Sequence, residues 1–182
     1  MQLATVPPVL RTVPFDLFEP LQGHTFDGRP TVAMTIAHQG CVLIVKSAKG
    51  GWGPPQGEIE GYDGTLLNAF LREGAQEIGL RDGYSTRRAV LGEFVNPMPK
   101  DRTVDYTHKH VLVVGCVVHS KQWIALNSEN VEFAFVKSED ALRELMNPSE
   151  ERPQKFCATC EAINEMNKLG FVPWKCDSRW VH

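Results

Sequence analysis

The chain has no long apolar run. Its longest, Val111 to Val118, falls far short of the roughly 20 residues a membrane-spanning helix needs. Met1 to Leu10 lacks both the charged start and the apolar stretch of a secretory leader. Excess charge of one sign is missing too. A net charge of −3 excludes attraction of nucleic acid by the molecule as a whole, and leaves open a local basic patch that meets a small polyphosphate or an RNA end. No internal repeat and no low-complexity segment is found. The expectation is a soluble, cytoplasmic protein with no membrane partner. Cysteines number five, an odd count, so free thiols are expected. Cys157 and Cys160 form a Cys-x-x-Cys pair, with Cys176 further on. A zinc site needs four good ligands as a rule, and the remaining candidate is the terminal His182. The three thiols are therefore expected to be reduced, metal-free and turned into a small C-terminal core.

The 182 residues, 42% of them hydrophobic, suit one domain with modest extensions. Residues 1–29 are Pro-rich and predict an extended arm, anchored by Phe15, Leu17 and Phe18. Thr31 to His38 and Cys41 to Lys46 alternate around His38-Gln39-Gly40 and predict a hairpin. Ser47 to Pro55 is a glycine-rich loop, where Lys46 and Lys49 can meet phosphate or simply be solvated. Arg87 to Val95 predicts a strand, followed by a charged tip at Lys100-Asp101-Arg102. Tyr106 to His119 predicts a long strand whose His108 and His110 share a face. Their separation suits a metal pair, but the polar side of a half-buried strand is the favoured reading. Val131 to Lys137 predicts another strand, and Ser138 caps a helix that runs through Leu145. Residues 148–153 read as a linker, Gln154 to Leu169 as a final helix, and the tail carries Trp174 and Trp180. The pattern is α+β, with a central unit at 30–146 and residues 147–182 packed on it.

The stretch from Gly57 to Leu80 organises the rest. Gly57, Gly61 and Gly64 interrupt any regular pattern before a helix that starts near Leu66. Asp63 or Thr65 can cap it, and Gly79 stops it. Leu67, Leu71, Gly74 and Ile78 recur at helical spacing as a buried side. Glu73, Gln76 and Glu77 project together on another side. Two carboxylates four apart repel by about 0.2–0.5 kcal/mol, which an ordinary solvated face tolerates.

The run Arg72-Glu73-Gly74-Ala75-Gln76-Glu77-Ile78-Gly79-Leu80, led by Gly57, resembles the Nudix box. That signature is Gly, five residues, Glu, seven residues, then Arg-Glu-apolar-any-Glu-Glu-any-Gly-apolar. The departures are specific. The spacing from Gly57 to Arg72 is one residue longer. Asp63 or Glu60 stands for the first Glu, Gly74 for an apolar residue, and Gln76 for the first of the paired glutamates. Trp52-Gly53-Pro54-Pro55-Gln56-Gly57-Glu58-Ile59 resembles the corresponding run of RNA pyrophosphohydrolases and dinucleoside polyphosphate hydrolases in the family.

The resemblance implies a mixed sheet sandwiched between helices, with the box helix packed on it. It also implies hydrolysis of a phosphoanhydride in a nucleoside diphosphate-linked substrate. Hard cations, Mg2+ or Mn2+, suit oxygen ligands and would neutralise the phosphates and position water. Carried over by position, the metal ligands are Glu73, Glu77 and the carbonyl of Gly57. Arg72 orients the glutamates. A later loop before the Phe135-Val136 strand adds Glu129, with Glu132 in reserve. The substrate is an RNA 5′ end, a dinucleoside polyphosphate or another nucleotide. The alternative is a weakened module, lacking the Gln76 charge, that binds a nucleotide or a protein partner without turnover.

Overall fold

The computed structural model describes residues 9–14, 16–98, 106–120, 123–147 and 153–177. The Phe15 anchor, the Lys100-Asp101-Arg102 tip, residues 148–152 of the linker, Trp180 and His182 lie outside them. The hairpin forms around Gln39 and Gly40, both at positive φ, which joins β1 (Arg29–His38) to β2 (Cys41–Ser47). Only the residues next to the turn pair with each other, Ala37 with Val42 and His38 with Cys41. Beyond that the two strands part. β1 takes β4 (Gln56–Glu58) as an antiparallel neighbour, and β2 takes β3 (Trp52–Gly53). The glycine-rich segment is therefore not all loop. β5 (Ser85–Pro97) pairs antiparallel with β6 (His108–Val118), and β6 runs parallel to β1 over nine residue pairs. β7 (Asn130–Val136) closes on β2.

This mixed sheet is buried on both faces. On one face, α1 (Leu66–Ile78) packs Leu66, Ala69, Phe70 and Ile78 against Met34, Ile36, Leu112 and Val114. On the other, Leu142 of α2 (Glu139–Met146) and Phe156, Ala162, Ile163 and Met166 of α3 (Pro153–Lys168) cover Ala33, Val111 and Val113. The result is an α/β/α sandwich. Among the described residues no helix is long and apolar enough to cross a membrane.

Four expectations change. Phe18 is no anchor, being 71% exposed, whereas Leu17, Leu21 and Leu10 of the arm are buried. The buried stripe of α1 is Leu66, Ala69, Phe70, Glu73, Gly74, Glu77 and Ile78, while Leu67 and Leu71 are only half-buried. The stripe is turned because Leu66 and Phe70, not their neighbours, face the sheet. Glu73 and Glu77 thus belong to the buried side, while Gln76 beside them is exposed. Finally, Cys157, Cys160 and Cys176 join the main core rather than a separate one. All five cysteines are free. A hydrogen bond with Cys176, followed by burial, pushes the Cys160 thiol far up.

Candidate active site

α1 is anchored at its start by Thr65, whose hydroxyl accepts the Asn68 N–H at 3.2 Å. About two turns further, Arg72 ties the helix to the loop before it. Its Nε and Nη2 each donate to Asp63 at 2.8 Å, and Nη2 also donates to the Glu58 carbonyl at 2.7 Å. Its Nη1 donates to Glu73 at 2.5 Å and to the Gln76 amide oxygen at 3.2 Å. Asp63 is 4% exposed and also accepts the Glu60 N–H at 2.8 Å. This fork geometry, led by the bonds to Asp63, holds the Arg72 guanidinium charged well above its ordinary range. Asp63 is therefore the partner that locks Arg72.

The two glutamates are held differently. Glu73 is paired with Arg72 and fills the space beside Gly57. A Cβ on Gly57 would stand 1.7 Å from Glu73 Oε2, so glycine here makes room for the carboxylate. Glu77 accepts from two amides, Asn127 at 3.1 Å and Asn130 at 2.5 Å. Asn127 in turn accepts the N–H groups of Glu129 and Asn130 at 3.0 and 3.1 Å, an Asx-type turn that fixes the loop. Burial raises the pKa of both glutamates, against the lowering effect of these donors. Asn127 and Asn130 were not found from the sequence. An Asn-x-x-Asn pair just ahead of a strand is the signal that could have pointed to them.

Glu73, Gln76, Glu77 and Gly57 open onto one cleft of about 1010 Å³, room enough for a nucleotide. Glu58 and Glu129 line it from the strand and loop sides, and Arg29, Lys49, Lys109 and Lys155 are its cations. Arg29 is ion-paired with Glu58. Lys49 thus lines the cleft. Lys46 does not; it bonds Glu132 at 2.8 Å and stands 5.8 Å over the Trp52 ring. The same bond places Glu132 away from the cleft and leaves Glu129 as the later-loop carboxylate that lines it.

The family model described as the NUDIX domain matches residues 28–156, more than half of the chain. The chain belongs to the NUDIX family. Solved structures share the fold at low identity. An Ap4A hydrolase of C. elegans aligns with a TM-score of 0.53 at 14% identity, covering 75% of this chain and 97% of that one. The dihydroneopterin triphosphate pyrophosphohydrolase of E. coli aligns at 0.57 and 14%, covering 77% and 99%. A NUDIX hydrolase from Nitrosomonas europaea aligns at 0.57 and 17%, covering 86% and 98%. No curated protein matches the chain.

NUDIX enzymes generally use divalent metals, and the donors here fit a hard cation. Two buried carboxylates with raised pKa and a neighbouring glycine backbone face one cleft. A different group, His24, Glu93 and His110, brings one ligand atom from each within 4.8 Å of the others. None of the three lines the cleft. His110 Nδ1 accepts the Asp27 N–H at 2.8 Å, which puts the ring proton on Nε2, and Nε2 meets Glu93 at 2.7 Å. A metal at Nε2 would have to displace that proton. His108, by contrast, turns to Asp27 at 3.0 Å. Both strand histidines thus meet Asp27, His110 at its backbone N–H and His108 at its carboxylate, as polar contacts of a half-buried strand.

Proposed function

We propose that this NUDIX domain hydrolyses a phosphoanhydride bond in a nucleoside diphosphate-linked substrate, with Mg2+ or Mn2+ held by Glu73, Glu77 and the Gly57 carbonyl. The cytoplasm is the expected compartment. The observation that carries the reading is the buried Glu73 and Glu77 pair on one helix, opening onto a single large cleft beside Gly57. A bound divalent cation would neutralise phosphate charge and lower the pKa of water. The chain's own residues do the rest. Arg72 fixes the Glu73 carboxylate, Asn127 and Asn130 fix that of Glu77, and Lys49 lines the cleft, where its ammonium can meet phosphate oxygens. Glu129, exposed on the cleft wall, adds a carboxylate from the later loop. The Trp52 to Ile59 run favours an RNA 5′ end or a dinucleoside polyphosphate. Of the fold relatives, the Ap4A hydrolase is named for a dinucleoside polyphosphate, and the dihydroneopterin triphosphate pyrophosphohydrolase for a phosphoanhydride of another kind.

Gln76 favours a second reading, a nucleotide-binding or partner-binding module with weak or no turnover. Its neutral amide, bound to Arg72, stands where the box has a carboxylate. A screen separates the two. Dinucleoside polyphosphates, 5′-triphosphorylated RNA, nucleoside triphosphates and sugar nucleotides are incubated with magnesium and the products identified. Hydrolysis is expected for at least one class, with Glu77→Gln slower by at least about a hundredfold while its circular dichroism is unchanged. A folded Glu77→Gln protein as fast as the parent removes Glu77 from the mechanism. Nucleotide binding without products would favour the module.

A further inference from the structure

Gly53 and Gly57 flank the Pro54-Pro55-Gln56 run, and neither has the positive φ that would demand glycine. Each is small because another side chain occupies the space where its Cβ would stand. At Gly57 that side chain is Glu73. At Gly53 it is Lys155, whose Cε and Nζ would both lie 2.2 Å from an added Cβ. Lys155 belongs to α3, the helix on the opposite face of the sheet from the box helix. Its side chain borders a small cavity lined by Ala33, Phe94, Val113 and Ala158. It also lines the large cleft together with Glu73, Gln76 and Glu77. A lysine whose unbranched stem runs along such a wall and which also borders a wet cleft can offer its charge there at a defined place. Gly53 is the gap that lets it through.

The second observation is Gln76, a neutral amide facing the same cleft. Phosphoryl transfer depends on neutralising the charge of the phosphate chain. A site with one carboxylate fewer holds less metal charge, which leaves more phosphate charge to be met by the protein. We infer that Lys155, laid across Gly53, binds the phosphate chain of the substrate and makes up positive charge that Gln76 withholds from the metal site. This rests on reading the cleft as a nucleotide hydrolase site. Lys155 contributes attraction and orientation only, and no bond to it is made or broken.

Lys155→Met tests the charge, since methionine keeps an unbranched apolar stem. Gly53→Ala tests the position, since it leaves every charge in place and displaces only the flexible end of Lys155. The probe is inorganic tripolyphosphate with magnesium, titrated calorimetrically, alongside KM and kcat on whichever substrate the parent hydrolyses. Both variants should bind tripolyphosphate about tenfold more weakly and raise KM similarly, and Lys155→Arg should restore most of the affinity. The rate midpoint in magnesium should stay where it is, unlike that of a metal-ligand variant. In a Gln76→Glu background the Lys155→Met penalty should shrink, because the two changes act on one charge balance. Equal tripolyphosphate binding by the parent and Lys155→Met would overturn the inference and leave the hydrolase reading standing. A parent that binds neither tripolyphosphate nor any nucleotide would overturn both.

Discussion

Glu73 and Glu77 sit one helical turn apart and are almost equally buried, at 6% and 8% exposure, yet their partners differ in kind. Glu73 faces a guanidinium, whereas Glu77 is met by two neutral amides. An amide orients a carboxylate without cancelling its charge. Glu77 therefore keeps the larger uncompensated attraction for a cation, and Asn130 acts as its positioning residue. Partners behind a metal ligand are commonly worth ten- to a hundredfold in metal affinity or activity. Asn130→Ala should move the magnesium midpoint of the initial rate up by about tenfold, with a smaller change in KM for the nucleotide. If only KM moved, Asn130 would instead be contacting the substrate.

At the scale of the element, α1 is built to hold its ends. Thr65 supplies the N-cap, and Gly79 ends the helix at φ 73°, donating its N–H back to Ala75 at 3.1 Å. The box departure at Gly74 also has a local cause. A Cβ there would stand 3.1 Å from Leu80 Cδ2 and 3.5 Å from Met34 Sδ, so the helix rides close on the sheet. Thr65→Ala should destabilise the protein by about 1 kcal/mol. Gly79→Ala should cost more than about 1 kcal/mol, because its Cβ would also meet the Trp123 carbonyl at 2.9 Å. Gly53→Ala, which displaces only the end of a lysine, should cost least of the three. Urea denaturation ranks them, and Gly79→Ala as harmless as Gly53→Ala would refute this account of the C-cap.

For the whole molecule, the proposed cation site would couple cation binding to folding. Desolvation raises the folded-state pKa of Glu73 and Glu77 above their ordinary 4.5. A folded state that holds its protons more tightly is favoured fully below the unfolded pKa. That advantage is lost as pH rises through the folded values. A divalent cation offsets the burial of two charged carboxylates, so its benefit grows over the same window. The melting-temperature gain of magnesium over chelator should therefore be larger near about pH 8 than near about pH 5. It should be largely absent in Glu77→Gln. A gain that is flat with pH would mean that the cation binds elsewhere. The arm and the tail complete the assembly. Arg11 exchanges backbone hydrogen bonds with Glu93 at 2.8 Å, and the Trp174 indole donates to the Gly40 carbonyl at 2.8 Å.

What the sequence determined by itself was local and periodic. The Gln39-Gly40 turn, the Ser138 cap, the Gly79 stop and the span of α1 are set by neighbours within a few residues, where backbone sterics and short-range hydrogen bonds act, and Thr65 is one of two caps they allow. The box spacing likewise placed Arg72, Glu73 and Glu77 along one helix. The tertiary structure decided what those positions face. Helical periodicity says which residues share a side, but not that Leu66 and Phe70 turn it so that Glu73 and Glu77 are buried. The parallel pairing of β1 with β6, the Asn130 amide on Glu77 and the passage of Lys155 over Gly53 join residues 53 to about 100 positions apart. Contacts of that separation depend on the packing of the two cores around one sheet, and that packing is not written in any single stretch of the chain.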